Sequence, residues 1–230
     1  MRSTCLGRAP RCATGPRPSR FTCSGGCSPA SPRRSDPRLP ERLKSPRLRL
    51  FVAVDLPGTA LEPLIEWRAR ELGDVPGARL VAAESLHVTL VFLGYQYERD
   101  VDRIASICFE ENPPEASFEL RPTELAAIPP RRPRLYALGL NDGGGAVAAW
   151  QGQLSAALHD ARLYEPEKRS FWAHVTLARG KRDRALPRLD DPVELPPELR
   201  MSFAPPTATL YRSTLTRRGA VYDPVARIDL

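Results

Sequence analysis

The sequence predicts an α+β fold of two similar lobes, each with antiparallel strands and flanking helices. Three observations point there. The tetrapeptide His87-Val88-Thr89-Leu90 recurs as His174-Val175-Thr176-Leu177, 87 positions later, in a chain with only three histidines. Apolar residues run in the order strand, helix, strands and then helix, strands again, so the two words fall in equivalent places. At 230 residues the chain suffices for one ordinary domain with a substantial core, or for two small lobes.

Residues 1–47 form a basic extension rich in Pro, Arg and Ser, with eight prolines and no apolar periodicity. Such a segment buries too little surface to offset its ordering entropy and is expected to be disordered. It lacks the amphipathic pattern of a transit sequence and the apolar core of a signal peptide, and reads most simply as an extension without function. Cys5, Cys12, Cys23 and Cys27 lie in it at irregular spacing and without histidine, so neither a disulfide framework nor a zinc site is expected.

Order begins at a strand over 48–54, closed by Asp55-Leu56-Pro57-Gly58. Leu61, Leu64, Ile65 and Leu72 share one helical face, with Gly73 as the stop. Short strands follow at 79–81 and 86–93, the latter carrying the first histidine word and ending at Gly94. Val101, Ile104, Ala105 and Cys108 mark a second helix and place Cys108 in its core stripe. Strands are expected at 117–121 and 134–140, on either side of the turn Pro129-Pro130-Arg131-Arg132-Pro133. Gly143-Gly144-Gly145 is a flexible connection, since it lacks the Lys-Ser/Thr of a nucleotide loop. Val147, Trp150, Leu154, Leu158 and Ala161 define a third helix, with His159 off the stripe and on the surface. The second word lies in a strand over 171–178. A polar stretch over 182–197 leads to strands at 201–203, 207–211 and 220–228.

The formal charge of +7 misleads, because 11 of the 34 basic and only 2 of the 27 acidic residues precede residue 48. The remainder carries 23 against 25, so a broad polyanion-binding face is not expected and any RNA preference must come from a local site. No apolar run approaches the ~20 residues needed to span a bilayer.

On a strand, His87 and Thr89 share one face while Val88 and Leu90 take the other, and the same holds for His174 and Thr176. Two such strands side by side would gather two imidazoles and two hydroxyls around one point, which suits acid–base chemistry on a phosphate ester. No carboxylate or thiol accompanies either histidine at ligand spacing, so neither metal nor cofactor is expected.

The chain resembles the RNA 2′,3′-cyclic phosphodiesterases of the two-histidine phosphoesterase superfamily, formerly called the 2′-5′ RNA ligase family. The resemblance spans 48–230 and rests on Leu48-Arg49-Leu50-Phe51-Val52-Ala53-Val54-Asp55-Leu56-Pro57, both histidine words with their flanks, Pro130-Arg131-Arg132-Pro133-Arg134 and Leu210-Tyr211-Arg212-Ser213. It departs from the family at Val91, where many members are basic, and at Ser170-Phe171-Trp172-Ala173 before the second word. The resemblance implies pseudo-twofold symmetry with a central cleft holding both His-Thr pairs. It also implies hydrolysis of the cyclic phosphate to a 2′-phosphomonoester, with His87 as proton donor to the leaving 3′ oxygen and His174 as acceptor from water. Thr89 and Thr176 are expected to hold the non-bridging oxygens. Arg134 and Arg179 are further expected phosphate contacts, with a solvated surface charge as the plain alternative. Phe51 and Phe92 are expected to line the cleft or stack on a base, with core packing as theirs. The expected partners are RNA or oligonucleotide ends bearing a 2′,3′-cyclic phosphate, with no membrane, for a monomer in the cytoplasm. Two other readings are an RNA-end binding module without turnover and 2′-5′ ligation by the same site.

Overall fold

The computed structural model describes residues 46–181, 184–189, 192–217 and 219–230. Most of the basic extension, with its four cysteines, lies outside the described residues.

The first strand, β1 (Arg47–Asp55), starts one residue before the expected strand and is buried from Leu50 to Val54 on both faces, as a central strand must be. Helix α1 (Gly58–Leu72) buries Leu64, Trp67 and Leu72. A fully buried side chain of this size contributes about 1.5–3 kcal/mol relative to exposure. Gly73 ends α1 in a right-handed conformation, its N–H still bonded to Ala69, so no left-handed cap is used. The short β2 (Ala78–Leu80) and a single 3-10 turn lead into β3 (His87–Tyr97). That strand runs past Gly94 because the glycine takes φ +67 at a bulge, where Leu50 pairs with Gly94 and Phe51 with Phe92.

Helix α2 (Val101–Ser106) passes into a wider turn over Ile107–Glu111, burying Val101, Ile104 and Cys108. Burial pushes the Cys108 thiol up to about 12, so it is an inert core residue. The next strand, β4 (Leu120–Ile128), corrects the expected 117–121. Pro122 reads as a terminator in sequence, but β4 lies at the edge of the sheet, where a missing N–H costs no ladder bond. Its partner β5 (Leu135–Asp142) precedes helix α3 (Ala146–Asp160), which buries Val147, Trp150, Leu154 and Leu158. His159 is exposed, as its position off the stripe requires.

The second histidine strand, β6 (His174–Gly180), begins at the histidine itself rather than at residue 171. The strand expected at 201–203 is reduced to one bridge between Phe203 and Leu120. Two long strands close the chain, β7 (Thr207–Thr216) and β8 (Gly219–Asp229).

All pairings are antiparallel, in the order β4-β5-β6-β3-β1-β7-β8, with β2 added to β6. The strand groups are not successive halves of the chain. β7 and β8 return to β1 at one end, while β2, from the first half, pairs with β6 from the second. The two histidine strands become neighbours joined by one pair, Val88 with Val175. Both valines are fully buried on the back of the sheet, which turns the histidines and threonines to the front.

Candidate active site

On the front of the sheet, alternation along β1 presents Arg49, Phe51, Ala53 and Asp55, and β3 sets His87 and Thr89 opposite Asp55 and Ala53. His174 and Thr176 stand across the seam on β6. One cleft is lined by His87, Thr89, His174 and Thr176, with Phe51, Phe92 and Arg179 around them. The structure thus gathers seven of the eight expected residues. Arg134 is the exception, lining an adjoining hollow with Arg179 but not the cleft itself.

Both imidazoles are held in the same way. His87 Nδ1 lies 2.9 Å from the carbonyl of Ser85, and His174 Nδ1 lies 2.8 Å from that of Trp172. A carbonyl only accepts, so each Nδ1 carries a proton and donates it to the residue two positions earlier. Each Nε2 is thereby left as the nitrogen available for proton transfer. His87 Nε2 lies 3.0 Å from Thr89 Oγ1.

Aromatic rings fix the planes. Phe51 stacks on His87 at 4.9 Å between centroids, and Tyr222 meets the same imidazole edge-on at 5.3 Å. Trp172 stacks on His174 at 4.5 Å, with 14° between planes. Gly139 pairs with His174 across β5 and β6, and a Cβ there would lie 3.2 Å from the Trp172 ring. The absence of a side chain at 139 leaves the indole its place.

Behind His87, the Asp55 carboxylate accepts hydrogen bonds from Thr207 (2.7 Å), Thr209 (2.8 Å) and Tyr211 (2.7 Å). Burial drives the His87 pKa down to about 4, against the opposing pull of the Ser85 carbonyl and Asp55; Arg179 and His174 add to the depression. In the unliganded protein His87 is therefore neutral at pH 7, and its Nε2 accepts from the Thr89 hydroxyl.

Phe51 is buried against His87, Tyr211 and Tyr222 and Phe92 is 38 % exposed, and both rings line the cleft. The Arg49 guanidinium lies 4.5 Å over the Phe92 ring and donates to Ser213 at 2.8 Å, which aims it along the cleft. Arg49, Ser85, Tyr222, Trp172 and Asp55 were not singled out from sequence. Arg49 was legible in principle, two residues before Phe51 on the same strand face. Tyr222 was not, because nothing local says that β8, one strand beyond β7, brings this ring against Phe51 and His87. Among the described residues no group of three or more His, Cys, Asp or Glu is placed to hold a metal ion, and no helix is long and apolar enough to cross a membrane.

The family model of the 2′-5′ RNA ligase superfamily matches residues 57–219. The RNA 2′,3′-cyclic phosphodiesterase of Aeropyrum pernix is 33 % identical over 150 residues, covering 63 % of this chain and 81 % of that protein. The protein of the same name from Escherichia coli K12 is 28 % identical over 180 residues, 78 % of this chain and 94 % of its own. Among solved structures, TT0787 of Thermus thermophilus superposes with a TM-score of 0.68 at 26 % identity, covering 80 % of this chain and 98 % of its own. Escherichia coli LigT complexed with 3′-AMP gives 0.66 at 26 % identity, covering 80 % and 99 %.

Proposed function

The chain belongs to the 2′-5′ RNA ligase superfamily, and from that premise we propose that it hydrolyses RNA 2′,3′-cyclic phosphodiester ends to 2′-phosphomonoesters. The observation that carries this reading is the pair of imidazoles, each tied through Nδ1 to the carbonyl two residues back, on adjacent strands lining one cleft. A phosphoric diester hydrolase of this kind needs two proton transfers, and two imidazoles in opposite protonation states supply both.

His87 is the proton donor and His174 the acceptor. Water gives a proton to His174 Nε2 as its oxygen bonds to phosphorus. The bond from phosphorus to the 3′ oxygen breaks, and that oxygen takes the proton from His87 Nε2. The 2′ oxygen keeps the phosphate. Each turnover leaves His87 neutral and His174 protonated, and exchange with solvent resets the pair.

The neutral state of unliganded His87 couples to Thr89. While Nε2 accepts, the Thr89 hydroxyl proton is engaged by the ring. An arriving phosphate anion raises the His87 pKa, and once Nε2 is protonated the Thr89 proton is free to turn to a non-bridging oxygen. Thr176 serves the same phosphate from the other strand, where charge grows in the transition state. Arg179 and Arg134 are the cationic contacts for substrate phosphate, and Phe51 and Phe92 frame the cleft. Metal plays no part in this scheme, since Asp55, the carboxylate opposite His87, already accepts three hydroxyl donors.

Residues 48–230 form the catalytic unit. Both His-Thr pairs come from one chain, which supports a monomeric catalyst acting on RNA ends. Incubation with a nucleoside 2′,3′-cyclic phosphate, followed by identification of the product, tests the proposal. A 2′-phosphomonoester is expected. Saturable binding without turnover would instead make the chain an RNA-end binding module.

A further inference from the structure

Three hollows run together on the front of the molecule. The histidine cleft shares Arg49, Arg179 and Tyr222 with a neighbour that adds Arg79, and Arg79 and Arg179 continue into a third that adds Arg134, Lys181 and Arg217. Among the described residues no Asp or Glu lines any of the three. Residues 48–230 carry 25 acidic against 23 basic side chains, so this groove concentrates positive charge that the domain as a whole lacks.

The groove has one further property. Its middle section passes between β2 and the tip of the β7–β8 hairpin, where a Cβ on Gly219 would stand 3.3 Å from the Arg79 guanidinium. The hairpin side offers Leu215, which is 64 % exposed, and Ala220, while Val81 lies opposite. A channel lined by cations with apolar surface between them suits a single-stranded nucleic acid, whose backbone follows the charge while a base rests on the apolar wall.

We propose that this groove holds the phosphodiester backbone 5′ of the cyclic end, with Arg79, Lys181 and Arg217 around the phosphate that joins the last two nucleotides. The protein then prefers an oligonucleotide to a mononucleotide. This rests on the cyclic phosphodiesterase reading and deepens it. An acidic peptide would also meet the charge requirement, but continuity with the cleft that takes a phosphodiester favours RNA.

The test compares kcat/KM on three substrates: a nucleoside 2′,3′-cyclic phosphate, a dinucleotide ending in one, and the same dinucleotide with a neutral methylphosphonate linkage. The charged dinucleotide is expected to be better by at least about tenfold, as one added charged hydrogen bond implies. The methylphosphonate should lose most of that gain, keeping only what the base contributes on the apolar wall, and a methylphosphonate as good as the charged dinucleotide would overturn the phosphate contact. Lys181→Gln and Arg217→Gln should each reduce the ratio of charged dinucleotide to mononucleotide. Log kcat/KM for the dinucleotide should also fall more steeply with log salt, by about 0.7 per phosphate contact. Equal kcat/KM on all three substrates overturns the groove assignment and leaves the hydrolytic reading standing. Turnover of none of them overturns the hydrolytic reading instead. Direct binding of a labelled oligonucleotide ending in a 2′-phosphate, against its methylphosphonate form, then decides the groove. Equal affinities for the two forms, or an acidic peptide bound there in preference to the charged oligonucleotide, would reject it.

Discussion

Binding of a phosphate anion should move the titration of His87 from about 4 to near neutrality. The size follows from Coulomb's law at contact distance. An imidazolium and one negative charge about 4 Å apart attract by about 4 kcal/mol at an effective dielectric constant of about 20, and 1.36 kcal/mol is one pKa unit. The shift is therefore ~3 units, which takes the group from about 4 to about 7 and makes a proton donor available only when substrate is present. The assay is the pH dependence of the histidine Cε1 resonances, assigned with His87→Gln, His159→Gln and His174→Gln, in the free protein and with a saturating nucleoside 2′-phosphate. Linkage adds a second readout, because affinity for the anion should rise up to about tenfold per pH unit as pH falls from about 7 towards 4. A free-protein titration near 6.5 would refute the burial argument. Titration at about 4 that the ligand leaves unmoved would refute the donor role and exchange the functions of His87 and His174.

On a nitrophenyl phosphodiester that fits the cleft, whose leaving group needs no proton, His87→Ala should lose much less activity than the ~10²-fold or more expected on a cyclic phosphate, while His174→Ala stays crippled. Equal damage on both substrates would show that the pair only binds phosphate. The depressed His87 pKa also enters stability. Between about 6.5 and 4 the unfolded chain binds the proton that the fold excludes, so stability attributable to His87 falls by about 3 kcal/mol as pH drops through that window. Denaturant unfolding of wild type and His87→Gln at pH 7 and pH 4 measures this difference, and parallel losses in the two would contradict it. Gly139→Val should push Trp172 off His174 and lower kcat, and because its Cβ would also stand 2.9 Å from Thr123 Oγ1 at a buried position the melting temperature should fall as well; an unchanged kcat would show that the indole does not position His174. Activity should persist in EDTA, and loss restored by one specific divalent ion would show that the two imidazoles do not suffice.

Much of the site is written locally. Two identical four-residue words announce both the residues and, through strand alternation, the face they share. The apolar stripe of α3 and the burial of Cys108 are legible for the same reason, since helical periodicity depends only on neighbours along the chain. Pro122 shows where local reading stops. A proline is a terminator or an edge residue according to what lies beside the strand, and only the pairing with β5 decides between them.

The histidine words by themselves determined which face of each strand carries an imidazole and a hydroxyl, the four side chains that line one cleft. What the tertiary structure decided is everything that depends on residues far apart in sequence. The return of β7 and β8 to β1 brings Tyr222 against His87 and three hydroxyls onto Asp55. The pairing of β2 with β6 places Arg79 beside Arg179 and turns a chain segment of slightly negative net charge into one with a cationic groove. Burial then sets the resting protonation of His87. A side chain's alternation is a property of its own strand, whereas desolvation and electrostatic field sum over every neighbour that folding brings near.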